Sequence, residues 1–578
     1  MIKLSKYLKK YKLYAFLAPS LMILEVICEI LLPKLMSDII NTGIGNNDMP
    51  YILKTGGVMV VLALLGIGGG LGCLVFASKI SQNVGTDIRE DLFIKIQAFS
   101  FANIDKFKTS SLITRLTNDV TQMQTVALMS FRMLVRAPML LIGGIFMAFS
   151  INAKTALIFV VIVPIVVVII FIMMKHTIPL FKVVQKKLDD VNTVMRENLI
   201  GIRVVKAFVR TDYEKEKFNT ANEAYKDTML SAFKVIMLLM PIMMVVMNFA
   251  LVGVLYFGGI QVSTGNMLIG DVMAFITYMM QIFMALMLVS MVFVFFSRAK
   301  VSADRINEVL ETEIDIIDTE NPKNFETASN SVEFKNVSFR YGTGEGELVL
   351  ENLSFSVKKG ETVAILGETG SGKTTLINLI PRLYDATSGE VFVNGINVKD
   401  SKIKDLRKEV AVVLQDTMLF SGTIKENIRW GNETASDEEI IKFTKFACAH
   451  DFIENFSEKY ETMLGQKGIN LSGGQKQRIS IARALIKKPE ILILDDSTSA
   501  VDTVTEKKIQ NSLLNDFKDT AKIIIAQRIS SVLDADKILV LGSGTIVAEG
   551  NHKYLLANSK DYQEIYNSQI KEEGILHD

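Results

Sequence analysis

Two stretches of this 578-residue chain carry residues whose types and spacing point to chemistry on phosphates. In "ILILDDST", residues 491–498, an apolar run ends in two adjacent carboxylates, Asp495 and Asp496. Such a run reads as a buried parallel strand that delivers acidic groups to a site at its end. Upstream, "TVAILGETGSGKTTLINLI" reads as strand, glycine-rich loop, helix. The loop is Gly367, Glu368, Thr369, Gly370, Ser371, Gly372, Lys373 and Thr374, with Thr375 next on the helix. Its glycines let backbone N–H groups curl around phosphates, Lys373 reaches the β- and γ-phosphates, and Thr374 offers a hydroxyl to Mg²⁺ beside Asp495. A chance match to the loop pattern is the alternative. The strand before, the helix after and the acidic strand downstream argue against it, so ATP with Mg²⁺ is the expected cofactor pair.

More residues belong to this chemistry. Tyr341 follows a strand-like run and is placed to stack on adenine, although an ordinary strand aromatic would look the same. Gln415, after the apolar "VAVVL", is placed to reach both metal and water. "LSGGQ", residues 471–475, opens a helix, so that Ser472, Gly473, Gly474 and Gln475 sit at the positive end of a helix dipole. That is an anion site with no phosphate-binding lysine of its own, and it suits a lid over a nucleotide held elsewhere.

The elements that must position these residues fall into two kinds. Hydrophobic residues make up 49% of the chain, above the usual soluble balance. Apolar segments near 13–35, 55–80, 131–151, 155–175, 232–260 and 270–297 are each long enough to cross a ~30 Å hydrocarbon core as a helix. The lysine-rich N-terminus and the Lys/Arg-rich stretch 175–231 put the N-terminus and both long connections, 81–130 and 175–231, in the cytoplasm. Those connections are about fifty residues each, too long for bare loops, and their apolar spacing predicts continuations of the membrane helices. Short transverse helices are expected near "KTSSLITRL" and "RTDYEKEKF". A polar, Pro322-containing stretch then separates a membrane domain, 1–312, from an α/β domain, 332–578, with 313–331 as linker. The first span lacks a cleavage site and is expected to remain as an anchor. A net charge of +1 without long basic tracts leaves no footprint for nucleic acid. Cys28, Cys73 and Cys448 are scattered and expected to be reduced thiols.

With these motifs in this order, the chain resembles the ABC exporters, specifically bacterial half-transporters with six membrane helices followed by one nucleotide-binding domain. The resemblance runs over essentially its whole length: Walker A at 367–374, the Q-loop at Gln415, the signature at 471–475, Walker B ending at Asp495 and the D-loop "SAVD" at 499–502. It implies a six-span α-helical transmembrane domain ahead of an α/β P-loop NTPase domain, in the cytoplasmic membrane of a bacterium. It also implies a dimer in which each ATP lies between one chain's Walker A and the other chain's signature, so that ATP binding closes the nucleotide domains and hydrolysis resets them.

Two positions depart from the family pattern. The family has Glu after the Walker B Asp, and here it is Asp496; the family's switch histidine is Gln527, in "IIIAQRIS". Asp is one methylene shorter, and a misplacement of ~1 Å can cost on the order of 10²-fold when reacting geometry is tight. Gln527 exchanges hydrogen bonds but cannot carry an imidazolium charge. Each change alone reads as tolerated drift. Both together, with the signature intact, resemble the degenerate-site subunit of heterodimeric multidrug exporters, whose partner is a second half-transporter. The expected cargo is hydrophobic or cationic small molecules; a homodimeric lipid flippase, or an ATP-switched regulator or channel subunit, are the alternatives. Methionines at helical spacing, Met240, Met243, Met244 and Met247, then Met280, Met284, Met287 and Met291, suit an adaptable apolar cavity or ordinary packing. Glu25 and Glu29, one turn apart in the first span, either attract cations or pair with a base such as Arg136.

Overall fold

The computed structural model describes residues 2–325, 330–342 and 346–575. They form two compact units: Met1–Gln97 with Ser110–Thr312, and Ala98–Thr109 with Glu313–Asp578.

The first unit is built from helices α1 (Lys6–Ile44), α2 (Met49–Gln97), α4 (Thr109–Ile151), α5 (Ala153–Ile200), α7 (Thr211–Ser263) and α8 (Ile269–Glu311). Each contains a window apolar enough to span a bilayer. At ~1.5 Å per residue the 48 residues of α5 run ~72 Å, more than twice a hydrocarbon core, so α5 and α7 continue well past any membrane as a helical hairpin. Two short helices interrupt the connections: α3 (Phe101–Phe107) and α6 (Ile202–Ala207). Both lie upstream of where the sequence suggested, and "RTDYEKEKF" instead begins within α7. The stops decide this. Ser100 caps α3 through a reciprocal box with Asn103, Lys108 ends it at φ 59°, and Val209 at φ 53° breaks the chain just before Arg210.

Within the unit α1 packs along α2, α4 along α8 and α5 along α7. Glycine permits the closest approach: a Cβ on Gly69 would lie 2.8 Å from the Leu21 carbonyl oxygen. The membrane carboxylates have a partner. Arg136 on α4 pairs through Nη1 with Glu25 and through Nη2 with Glu29 at 2.8 Å. This is the ion-pair arrangement of the two expected ones. With Arg132, the three charges line a cavity of about 460 Å³ that is otherwise walled by apolar residues such as Leu62 and Ile67. The methionine rows divide between two environments: Met243, Met247 and Met287 pack in the core, whereas Met240, Met244, Met280 and Met284 are exposed. The Met291 side chain lies outside the described residues. Cys28, Cys73 and Cys448 are free thiols.

The second unit is built on strands β1 (Asn330–Phe339), β2 (Leu350–Lys358), β3 (Thr362–Gly367), β4 (Ser388–Val393), β5 (Ile396–Asn397), β6 (Val410–Val413), β9 (Ile491–Asp495), β10 (Ala521–Ile525), β11 (Lys537–Gly542) and β12 (Thr545–Gly550); β7 (Gly422–Thr423) and β8 (Met463–Leu464) form a small ribbon. They make a six-stranded sheet in the order β12-β11-β3-β10-β9-β6 and an antiparallel four-stranded sheet, β2-β1-β4-β5. In the large sheet every pairing except β11–β12 is parallel. β9 is buried along its whole length, as its unbroken apolar run requires. Helix α3 belongs to this unit, where the Tyr384 hydroxyl donates to Asp105 at 2.6 Å.

The triad on α1 and α4 generates a stability prediction. Arg136→Met leaves two carboxylates facing each other without a counter-charge and should destabilise the protein by on the order of 2 kcal/mol, less than for a fully buried pair because the groups are partly exposed. The triple variant Arg136→Met, Glu25→Gln, Glu29→Gln should recover most of that loss. Thermal melting of the three proteins in one detergent decides it, and equal melting of the single and triple variants refutes the pairing energetics.

Candidate nucleotide site

Parallel strands bring the functional groups together because they all end on the same side of the sheet. Gly367 at the end of β3 is in register with Leu541 of β11, and Ile525 of β10 lies between Ile365 and Asp495. The loop after β3, the acid pair after β9, Gln527 after β10 and Gln415 after β6 therefore converge.

The loop after β3 takes its shape from glycine. Gly370 and Gly372 have φ of 88° and 98°, and a Cβ at Gly372 would lie 2.7 Å from the Leu350 side chain. Helix α9 (Lys373–Leu379) starts there. Lys373 Nζ donates to the carbonyls of Gly367 and Glu368 at 2.8 and 2.7 Å, and burial holds its ammonium pKa below the usual lysine range against the pull of Asp495 and Asp496. Ser371 is buried and its hydroxyl has no hydrogen-bond partner among the described residues, a spare donor in the middle of the loop after β3. Thr374 Oγ1 donates to Asp495 Oδ2 at 3.0 Å. Asp495 is only 2% exposed, and burial pushes its carboxyl above the usual range. A hydroxyl and a carboxylate converging at this distance are the hard oxygen donors that Mg²⁺ prefers, so the residues present fit that ion.

Asp496 has φ 46°, and burial raises its pKa as well. Gln527 Nε2 donates to its Oδ2 at 3.1 Å, and Gln415 Nε2 approaches the same oxygen at 3.4 Å. The two departed positions are thus hydrogen-bonded to each other. Tyr341 stands at the edge of the second unit, about half exposed, with its hydroxyl 2.9 Å from Thr375 Oγ1 and its ring edge-on to Phe339 and Tyr384.

Residues 472–475 are organised differently. Ser472 caps helix α10 (Gly473–Leu485), its hydroxyl accepting from the Gln475 N–H at 3.3 Å while Gln475 Oε1 accepts from the Ser472 N–H at 2.9 Å. Among the described residues no hydrogen bond joins them to the phosphate loop of the same chain. The helix they open connects instead to the segment after Asp496, where Gln477 accepts from the Ala500 N–H at 3.0 Å.

Sequence reading missed one member of the site's scaffold. Glu506, on α11 (Thr503–Asp516), is 5% exposed, and its Oε1 accepts from Thr498 Oγ1 at 2.8 Å and from Ser531 Oγ at 2.6 Å. It ties the segment after the acid pair to the segment after Gln527. Helical spacing from the Asp502 cap places Glu506 in the first turn, but nothing local identifies partners 8 and 25 residues away.

An apolar six-helix unit and a phosphate-loop ATPase unit in one chain define an ATP-dependent membrane protein. Residues 16–286 match the family model for the ABC transporter transmembrane region, and residues 350–499 match that for ABC transporters. The chain is 43% identical to the ABC transporter ATP-binding protein YfiB of Bacillus subtilis (strain 168), over 99% of both chains. It is 33% identical to the ATP-dependent lipid A-core flippase of Syntrophus aciditrophicus (strain SB), over 87% of this chain and 84% of that one. Its fold matches the structure of a bacterial Atm1-family ABC exporter with ATP bound at TM-score 0.80 and 26% identity, over 97% of this chain and 98% of that one. The chain belongs to the ABC transporter family. It is a half-transporter of the exporter type, a multi-pass protein of the bacterial cytoplasmic membrane that binds ATP and couples its hydrolysis to transport.

Two outcomes test the site. Lys373→Ala removes a charge-assisted contact to phosphate and should weaken ATP binding by about tenfold or more, read by equilibrium nucleotide binding to the full-length protein. Glu506→Ala strands two half-buried hydroxyls and should cost on the order of 1 kcal/mol of stability in denaturant unfolding; an unchanged midpoint would mean that the bridge holds nothing.

Proposed function

We propose that this chain exports hydrophobic or amphipathic compounds as one subunit of a heterodimer, in which its own phosphate-loop site holds Mg²⁺ and ATP but cleaves the nucleotide slowly. Lys373, Thr374 and Asp495 hold nucleotide and metal, Tyr341 stacks on adenine, and Ser472 to Gln475 serve the partner chain's site. The observation that carries the reading is the Gln527–Asp496 hydrogen bond, reinforced by Gln415. A carboxylate that is one methylene short and takes two amide donors on a single oxygen is held back from an attacking water, and Gln527 turns its amide nitrogen toward the acid. The binding groups around it are complete.

A partner chain is supported by the tip of the α5–α7 hairpin. Ile200 and Val209 are 80% and 85% exposed, and Leu199, Val204 and Phe208 beside them are also exposed. So many apolar side chains exposed around one hairpin tip call for cover. The exposed methionines and the mixed wall of the α1–α2 cavity suit cargo with an apolar body and a polar end. A homodimeric lipid flippase is the second reading. It is favoured by the relative named as a lipid A-core flippase and by Arg132, which lines the cavity beside the Arg136–Glu25–Glu29 triad and suits an acidic headgroup.

Under the first reading the purified chain alone has little ATPase activity and gains it when mixed with its partner, and Asp496→Asn barely changes turnover of the complex. A working general base is worth about 10² to 10⁴-fold, so a collapse in Asp496→Asn assigns turnover to this site and favours the homodimer. The pair Asp496→Glu with Gln527→His should raise hydrolysis at this site more than either change alone, measured in a complex whose partner site is disabled. ATP-dependent dye uptake into inside-out vesicles separates a pump from an ATP-switched channel or regulator.

A further inference from the structure

The last helix of the chain reaches back to the site. Helix α12 (Lys560–Ile575) is anchored by Tyr562, whose side chain is 0% exposed in a core shared with Ala364 and Leu366 of β3 and with Ala526 and Ile529 beyond β10. The Tyr562 hydroxyl is 2.7 Å from His552 Nδ1. Seven residues on, two turns along the same face, Gln569 meets the segment beyond β10. Its Nε2 donates to the Gln527 carbonyl at 2.7 Å, and its Oε1 accepts from the Ile529 N–H at 2.7 Å. β10 ends at Ile525, so these backbone groups lie beyond the sheet's own ladder. One primary amide satisfies a carbonyl and an N–H two residues apart, as a neighbouring strand would.

We infer that Gln569 is a positioning residue for the nucleotide site: by clamping the backbone of Gln527 and Ile529 it fixes the direction of the Gln527 side chain, and so makes the C-terminal helix part of the discrimination between ATP and ADP. The inference rests on reading Gln527 as the group that faces the γ-phosphate side of the site. That side is marked by its hydrogen bond to Asp496, next to the Thr374–Asp495 pair. Asp561, Glu564 and Ser568 of α12 line the cavity beside the loop after β3, but among the described residues Gln569 itself makes no hydrogen bond to that loop, to α9 or to Tyr341. A clamp on Gln527 therefore affects the nucleotide with three phosphates and leaves the one with two unaffected.

The test is equilibrium binding of a non-hydrolysable ATP analogue and of ADP, each with Mg²⁺, to the full-length chain in lipid nanodiscs. Gln569→Met removes both hydrogen bonds at nearly constant volume. Analogue affinity should fall roughly three- to tenfold, the worth of one or two ordinary hydrogen bonds, while ADP affinity stays at the wild-type value. Gln569→Glu keeps an acceptor for Ile529 but sets a carboxylate against the Gln527 carbonyl, and should show the same selective loss. In a Gln527→Ala background, Gln569→Met should add nothing. Parallel losses for both nucleotides would reduce Gln569 to a structural support and overturn the inference. So would unchanged binding of both, wild-type behaviour of Gln569→Glu, or a full effect persisting without the Gln527 side chain. A failed heterodimer reading would appear separately, in the turnover of the complex, because these affinities belong to one chain's own site.

Discussion

The hydrogen bond from Thr374 to Asp495 is the constraint around which the nucleotide-binding unit is arranged. It joins the first turn of α9 to the end of β9, two strands away from the one that feeds the helix, with β10 between them. A carboxylate this buried is costly unless its oxygens are matched by donors or a cation. The sheet order supplies the match by ending three parallel strands at one level, and the loop after β3 then has to turn sharply enough to bring Thr374 over β9. That requirement places glycines where φ is positive, and it leaves Lys373 buried beside the acids it offsets. The same junction sets the segments beyond the strand ends: the residue after Asp495 and the residue after Ala526 meet because their strands are neighbours.

Much of this was legible in the sequence, and the division tracks the range of the interactions. The phosphate loop, the acid pair and the Ser472 cap depend on residues within a few positions of each other, so their spacing is diagnostic. The six spans were legible because a bilayer demands a long apolar window. The transverse helices were misplaced by several residues because their ends are decided by single backbone reversals at Lys108 and Val209, residues with no turn signature of their own. Gln569, Glu506 and the Asp496–Gln527 contact were illegible for another reason. Their partners lie 8 to 42 residues away, beyond any local pattern, and Gln and Glu are common helix residues whose type says nothing of what they touch. Only strand order makes them neighbours.

The membrane unit solves a related problem with different means. Where the nucleotide site offsets its buried acids with a threonine hydroxyl and a lysine, α1 and α4 carry a compact triad in which one guanidinium serves two carboxylates. The fork geometry of arginine suits this task, since its two terminal nitrogens can each meet a separate acid, as a lysine point charge cannot. The triad also fixes the rotation of α1 relative to α4 and sets the polar corner of an otherwise apolar cavity.

The bare tip of the α5–α7 hairpin has a consequence for the life of the chain before assembly. Synthesis passes residues 199–209 about a third of the way along the chain, and Ile200 and Val209 stay exposed once the chain has folded. The time such a surface stays uncovered depends on the concentration of whatever covers it. Until then the tip keeps the chain adhesive and open to chaperones and proteases, so a small apolar turn that is part of neither the cavity wall nor the nucleotide site bears on how long the protein lasts.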